Sequence, residues 1–196
     1  MMVSLNPAEQ PMVSDDGAFT YPFALRLFTL REKDFVRRMG TADCALVGAI
    51  VFNATHDRVL LVQRSAGDSL PGKWEVPGGM CEHSDKSILH AAARELFEES
   101  GLELAAFRGW AGTHFFSLGS DEEEDKSIQA AKYLFAVETR NHDVRLNDRE
   151  HQNFIWATEQ EVQACKYGGG ETIEFTSEIL KFSIKTAFAM IRSLYA

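Results

Sequence analysis

With 196 residues, 45% of them hydrophobic, the chain has the size and apolar content of one soluble domain with room for an appended element. Its formal net charge of −9 speaks against a nucleic-acid polymer or an anionic membrane as partner, because both favour basic surfaces. Cys44, Cys81 and Cys165 are widely spaced and form no C-x-x-C pair, which argues against a zinc knuckle or a disulfide framework and for buried or free thiols in a reducing compartment.

Met1 to Gly17 is polar and carries two prolines, without the apolar core of a signal peptide. No stretch approaches the ~20 apolar residues of a membrane span, so a soluble cytoplasmic protein is expected. Residues 1 to about 19 read as disordered or loosely attached. Thr29 and Glu32 stand at capping-box spacing and place a short helix from there to about Arg38. Its neighbouring phenylalanines suit docking on the main domain or a dimer interface. Residues 1–42 are thus taken as an N-terminal extension with a short helix, and 43–196 as the main domain with a C-terminal helix.

CALVGAIV over Cys44–Val51 and RVLLVQ over Arg58–Gln63 are apolar runs of strand length, with polar turn residues Asn53 to Asp57 between them, and predict a hairpin. Trp74-Glu75-Val76 is a short strand entering the turn Pro77-Gly78-Gly79. Next comes an uninterrupted helical run, capped by Ser84 or Asp85 and stopped at Gly101. Leu89, Ala93 and Leu96 share its core-facing side. Strands follow near Phe107–Phe116, Tyr133–Val137 and Phe154–Trp156, with an acidic loop at Asp121 to Asp125. A short helix at Thr158–Ala164, a linker at Lys166–Gly170 and an amphipathic helix over Phe175–Leu194 complete the chain. The order is not regular βαβ, which implies a mixed-sheet α+β or sandwich layout.

Glu95, Glu98 and Glu99 occupy positions i, i+3 and i+4 of the long helix, an arc of roughly 100°. An acidic surface face is the plain explanation, but these acids sit in the last turns, where the helix dipole opposes negative charge. Arg94 alone cannot neutralise them. A divalent, oxygen-seeking cation would; Mg²⁺ takes a few carboxylates together with water and phosphate oxygens. Upstream, Gly78 and Gly79 let backbone amides or carbonyls approach a ligand closely.

Together these residues resemble the Nudix box, G-x5-E-x7-R-E-U-x-E-E-x-G-U, where U is aliphatic. Arg94 through Leu102 match its second half completely. The first half departs: Asp85 stands where five residues after Gly79 a Glu belongs, and one extra residue precedes Arg94. The likeness spans residues 44 to about 160. It implies an α+β Nudix fold, a mixed β-sheet sandwiched between helices, and hydrolysis of a nucleoside diphosphate linked to a group X. It further implies Mg²⁺ or Mn²⁺ on Glu95, Glu98, Glu99 and the Gly79 carbonyl, with Arg94 holding a carboxylate by a bidentate ion pair. The metal would clamp the diphosphate, acidify a water and stabilise charge developing at phosphorus. A homodimer is in keeping with the family.

Outside the box, Glu150 is the first candidate for a further catalytic or metal-binding acid, followed by the Asp121–Asp125 run. Arg64, with Gly78 and Gly79, is a candidate for substrate phosphate. His151 reads as a base or as a structural histidine. Trp110, Phe115, Phe116 and Tyr133 suit base stacking, a pocket wall or plain core. Gly168-Gly169-Gly170 lacks the Lys-Ser/Thr of a P-loop. Two other readings are a catalytically silent ligand-sensing module and a prenyl-type diphosphate substrate. Diphosphate isomerisation would need a thiol, and Cys81 is oddly placed for one.

Overall fold

A computed structural model describes residues 11–119 and 127–195 of the chain, so the acidic run at 121–125 and residues 1–10 lie outside the described residues. The elements are β1 (Met12–Val13), β2 (Thr20–Tyr21), a 3-10 helix (Phe23–Thr29), α1 (Glu32–Met39), β3 (Cys44–Val51), β4 (Arg58–Arg64), β5 (Trp74–Glu75), α2 (Ile88–Ser100), β6 (Leu104–Leu118), β7 (Ile128–Thr139), β8 (His151–Thr158), α3 (Glu159–Ala164), β9 (Lys166–Tyr167), β10 (Glu171–Thr172) and α4 (Glu178–Tyr195).

β1-β2-β6-β7-β3 form a mixed sheet, with β3 parallel to β7 and β2 parallel to β6; β5-β4-β8 form an antiparallel one. Side chains alternate between the two faces. Along β7, Ala131, Tyr133, Phe135 and Val137 meet α2 and the N-terminal segment, while Leu134 and Ala136 join the core under α4. The helices therefore sandwich the sheets, as expected for the α+β class.

The hairpin expected between β3 and β4 is reduced to a corner. Only Phe52 and Val59 bridge there, and the two strands belong to different sheets. The free edge of β3 is taken instead by the glycine turn: Val47 and Ala49 donate their amides to the Gly79 and Pro77 carbonyls.

The N-terminal residues that the structure describes are not loosely attached. Phe19, Tyr21, Leu25, Phe28 and Phe35 are buried in the main core, and Phe28 packs edge-on against Tyr133 and Phe135. The capping box at Thr29 does not form. α1 begins after Arg31, and the Glu32 carboxylate accepts the Ala45 amide instead. Lys166–Gly170 is no linker but part of the β9–β10 hairpin, turned by three glycines of positive φ. α3 is closed by a reciprocal capping box between Thr158 and Glu161.

Candidate active site

α2 is shaped by its ends. Ser87, rather than Ser84 or Asp85, caps it by accepting the His90 amide, and Gly101 stops it in the left-handed conformation with its N–H on the Phe97 carbonyl. Ile88, Leu89, Ala92 and Leu96 are buried. That packing turns Glu95 and Glu99 toward the glycine turn and leaves Glu98 half exposed.

Glu99 is the deepest of the three acids. Its Oε2 accepts the Gly78 amide at 2.8 Å. Burial pushes its carboxyl up to about 9; the Gly78 N–H and the Lys132 charge pull the other way without offsetting it. Glu95 is shifted upward for the same reason, against the pull of Arg94. Its carboxylate lies so close to Gly79 that an added Cβ there would stand 2.7 Å from Oε2. Gly78 is held at φ 154, where a Cβ would strike the Val47 carbonyl. The two glycines are thus required by close approach, one to backbone and one to a carboxylate.

Arg94 organises this region. Its Nε and Nη2 hold Asp85 at 2.9 and 3.0 Å, and Nη1 reaches Glu95 at 2.9 Å and Glu98 at 3.0 Å. Asp85, displaced from the cap position, thereby serves as the two-point anchor of Arg94. Buried acids with raised affinity for protons, a half-exposed third acid and the nearby Gly79 carbonyl are an all-oxygen donor set that suits a hard divalent cation.

These residues line a cleft of about 440 Å³ together with Arg64, Asp68, Glu75, Lys132, Glu150 and His151. Glu150 is exposed at its rim and accepts a 2.7 Å bond from Asn147. Arg64 reaches the cleft already paired, to Glu75 at 2.5 Å and to Asp68. His151 lines the cleft from a buried position, 3.8 Å from Glu75. Glu75 carries no signal in the sequence that would mark it as part of a site. Burial pushes it up, but Lys132, His151 and Arg64 together outweigh this and hold it at about 2. Lys132 is equally unmarked in the sequence.

A second groove, about 400 Å³, adjoins the cleft and shares Leu46, Arg64, Glu75 and Lys132 with it. Its other walls include Leu70, His114, Phe116 and Leu118. Burial and the Lys132 charge lower the His114 pKa, keeping its ring neutral at pH 7. Of the aromatic candidates only Phe116 lines this groove. Tyr133 is core, packed on Phe28 and Phe35. Trp110 and Phe115 are about half exposed and line neither the cleft nor this groove. Gly168–Gly170 turn a hairpin outside both. Cys81 is buried in the core, and burial pushes its thiol far up, which removes it as a reactive group. No helix among the described residues is long and apolar enough to cross a membrane.

The NUDIX domain family matches residues 44–177. A Mycobacterium tuberculosis protein named "Putative 8-oxo-dGTP diphosphatase 2" is 31% identical over 117 residues, 60% of this chain and 74% of that protein. Among solved structures, a MutT protein from Methanosarcina mazei aligns with TM-score 0.55 at 23% identity, covering 78% of this chain and 96% of that one. The NUDIX domain of Shewanella oneidensis NrtR, complexed with ADP ribose, aligns with TM-score 0.54 at 16% identity, covering 85% and 100%. At these identities the structural likeness speaks for the fold.

Proposed function

Because the chain belongs to the NUDIX domain family and is a diphosphate-cleaving hydrolase, we propose that its substrate is a nucleoside diphosphate joined to a further group X, cleaved with Mg²⁺ or Mn²⁺. The observation that carries this reading is the meeting of Glu95, Glu98, Glu99 and the Gly78-Gly79 backbone in one cleft that opens into a partly apolar groove. Glu95, Glu98, Glu99 and the Gly79 carbonyl would hold the cation. Bound there, it supplies Lewis acidity toward the phosphate oxygens and acidifies water.

The protein's own residues do the rest. Arg94, anchored by Asp85, keeps Glu95 and Glu98 aligned. The Gly78 amide fixes the rotamer of Glu99. Glu150, exposed at the rim of the cleft and held by Asn147, would turn toward an attacking water as the general base. Arg64 lies beside the path of the phosphates. The groove beyond, with its Phe116 ring and neutral His114, would receive the base or group X.

The test is a phosphate-release screen with Mg²⁺ and Mn²⁺ over 8-oxo-dGTP, ADP-ribose, dinucleoside polyphosphates and a prenyl diphosphate. Metal-dependent release from a nucleotide supports the reading. Release from the prenyl compound alone would transfer the activity to a non-nucleotide diphosphate. Binding without release from any of them would make the chain a sensing module.

A further inference from the structure

The cleft holds three cationic side chains, Arg64, Arg94 and Lys132, among a larger number of carboxylates. Two of the three are committed. Arg94 is shared among Asp85, Glu95 and Glu98, and Arg64 is clamped between Glu75 and Asp68. Lys132 differs. Among the described residues its one acceptor is Glu75 Oε2, at 3.5 Å, the outer limit of a hydrogen bond. An ammonium has three donors, so most of its bonding capacity points elsewhere.

Its position is also distinctive. On β7, Lys132 shares the face of Leu134 and Ala136, but sits where that apolar row ends and the cleft begins. Its neighbour across the parallel ladder is Leu46, and across the antiparallel ladder His114. Gly48 leaves room for its stem: a Cβ on Gly48 would stand 3.2 Å from Lys132 Cε. The side chain is 16% exposed, and it lines both the acid-rich cleft and the adjoining groove. Any molecule that places its diphosphate against the acids of α2 and its remaining group in the groove must pass this ammonium.

We propose that Lys132 is a substrate-contacting residue, donating hydrogen bonds to the phosphate on the groove side of the scissile anhydride. This rests on the hydrolase reading above. Its part is attraction and orientation, without proton transfer, with Glu75 fixing its direction. Such a contact is present before and during the reaction, so its loss falls on substrate binding.

The experiment compares wild type, Lys132→Met and Lys132→Arg on the compound of the panel that wild type cleaves fastest. Lys132→Met is expected to raise KM by about ten- to hundredfold with kcat changed less than about threefold, the scale of one charge-assisted hydrogen bond. Lys132→Arg, which keeps the positive charge, should recover most of that loss. Unchanged KM in a folded Lys132→Met protein overturns the proposal, as does a fall confined to kcat. Should that variant fail to fold, Lys132→Gln replaces it, with the same rise in KM expected and the same two outcomes overturning the proposal. Calorimetric titration with methylenediphosphonate, which cannot be hydrolysed, separates the two claims. If wild type cleaves nothing yet binds this probe in a Lys132-dependent way, the hydrolase reading falls and the phosphate contact stands. If binding is equal in both proteins, the contact falls alone.

Discussion

Arg94 is clasped by Asp85 at two points, Nε to Oδ1 at 2.9 Å and Nη2 to Oδ2 at 3.0 Å, across nine positions of chain. Asp85 also accepts the Glu82 amide at 2.7 Å, so one carboxylate ties the loop to α2. Asp85→Ala should cost about 1–3 kcal/mol of folding stability, as expected for removing the two-point ion pair of a partly buried arginine and the acceptor of the Glu82 amide. It should also lower turnover at least tenfold, since Arg94 would be drawn onto Glu95 and Glu98. Urea unfolding together with steady-state kinetics checks both, and unchanged kinetics would remove the anchoring role.

Glu98 is 53% exposed at its side chain and, among the described residues, makes one ion pair, with Arg94. Glu98→Gln should therefore leave stability within about 0.5 kcal/mol of wild type. Turnover should fall by about 10²- to 10⁴-fold if the carboxylate holds a cation. A variant of near wild-type activity would sink the metal-centred mechanism.

Glu99 gives a pH signature. Its carboxyl titrates at about 9 in the fold against 4.5 ordinarily, so the unfolded chain releases this proton first. Its contribution to stability is fully present below pH 4.5 and is lost as pH rises toward 9. In the presence of a chelator, Glu99→Gln should be more stable than wild type at pH 8, by about 1–3 kcal/mol, and equal to it near pH 4. The same variant should be inactive. Melting curves across pH settle the matter: a gap that does not grow with pH contradicts the burial argument.

The paired glycines should fail differently. Gly78→Ala drives a Cβ to 2.2 Å from the Val47 carbonyl oxygen at φ 154, so it should destabilise by more than about 2 kcal/mol. Gly79→Ala meets only the end of the Glu95 side chain, at 2.7 Å, which can swing away. That variant should keep its melting temperature within a few degrees and lose activity. Differential scanning calorimetry paired with an activity assay distinguishes the two; equal melting losses would refute the distinction.

Much of the site is legible in the sequence because it is local. The i, i+3, i+4 spacing of Glu95, Glu98 and Glu99 and the left-handed stop at Gly101 lie within one helix, where sequence distance maps directly onto geometry. Lys132 and Glu75 are silent for the opposite reason. A single charge in a strand has no periodic signature, and their pairing spans 57 positions. Asp85 reads as a cap in the sequence because its true partner is fixed only when the loop closes. The β3–β4 hairpin fails on a similar point, since polar turn residues do not reveal that Pro77 and Gly79 will claim the edge of β3. The apolar residues of 12–21 follow no regular spacing, yet their aromatics find non-local partners: Phe19 lies against Phe107 at 5.2 Å.

That last contact bears on how the protein can be handled. The stretch matching the family, 44–177, stops short of the hydrophobic seal on both sides. Upstream lie Phe19, Phe28 and Phe35, which roof one face of the large sheet; downstream lie Ile184, Phe188 and Ile191, which roof the other. A fragment trimmed to the family limits would keep every acid of the cleft while stripping both roofs. Its greasy sheet would then meet water or other copies of itself, and poor yield or clumping of such a fragment would say nothing against the chemistry of the intact chain.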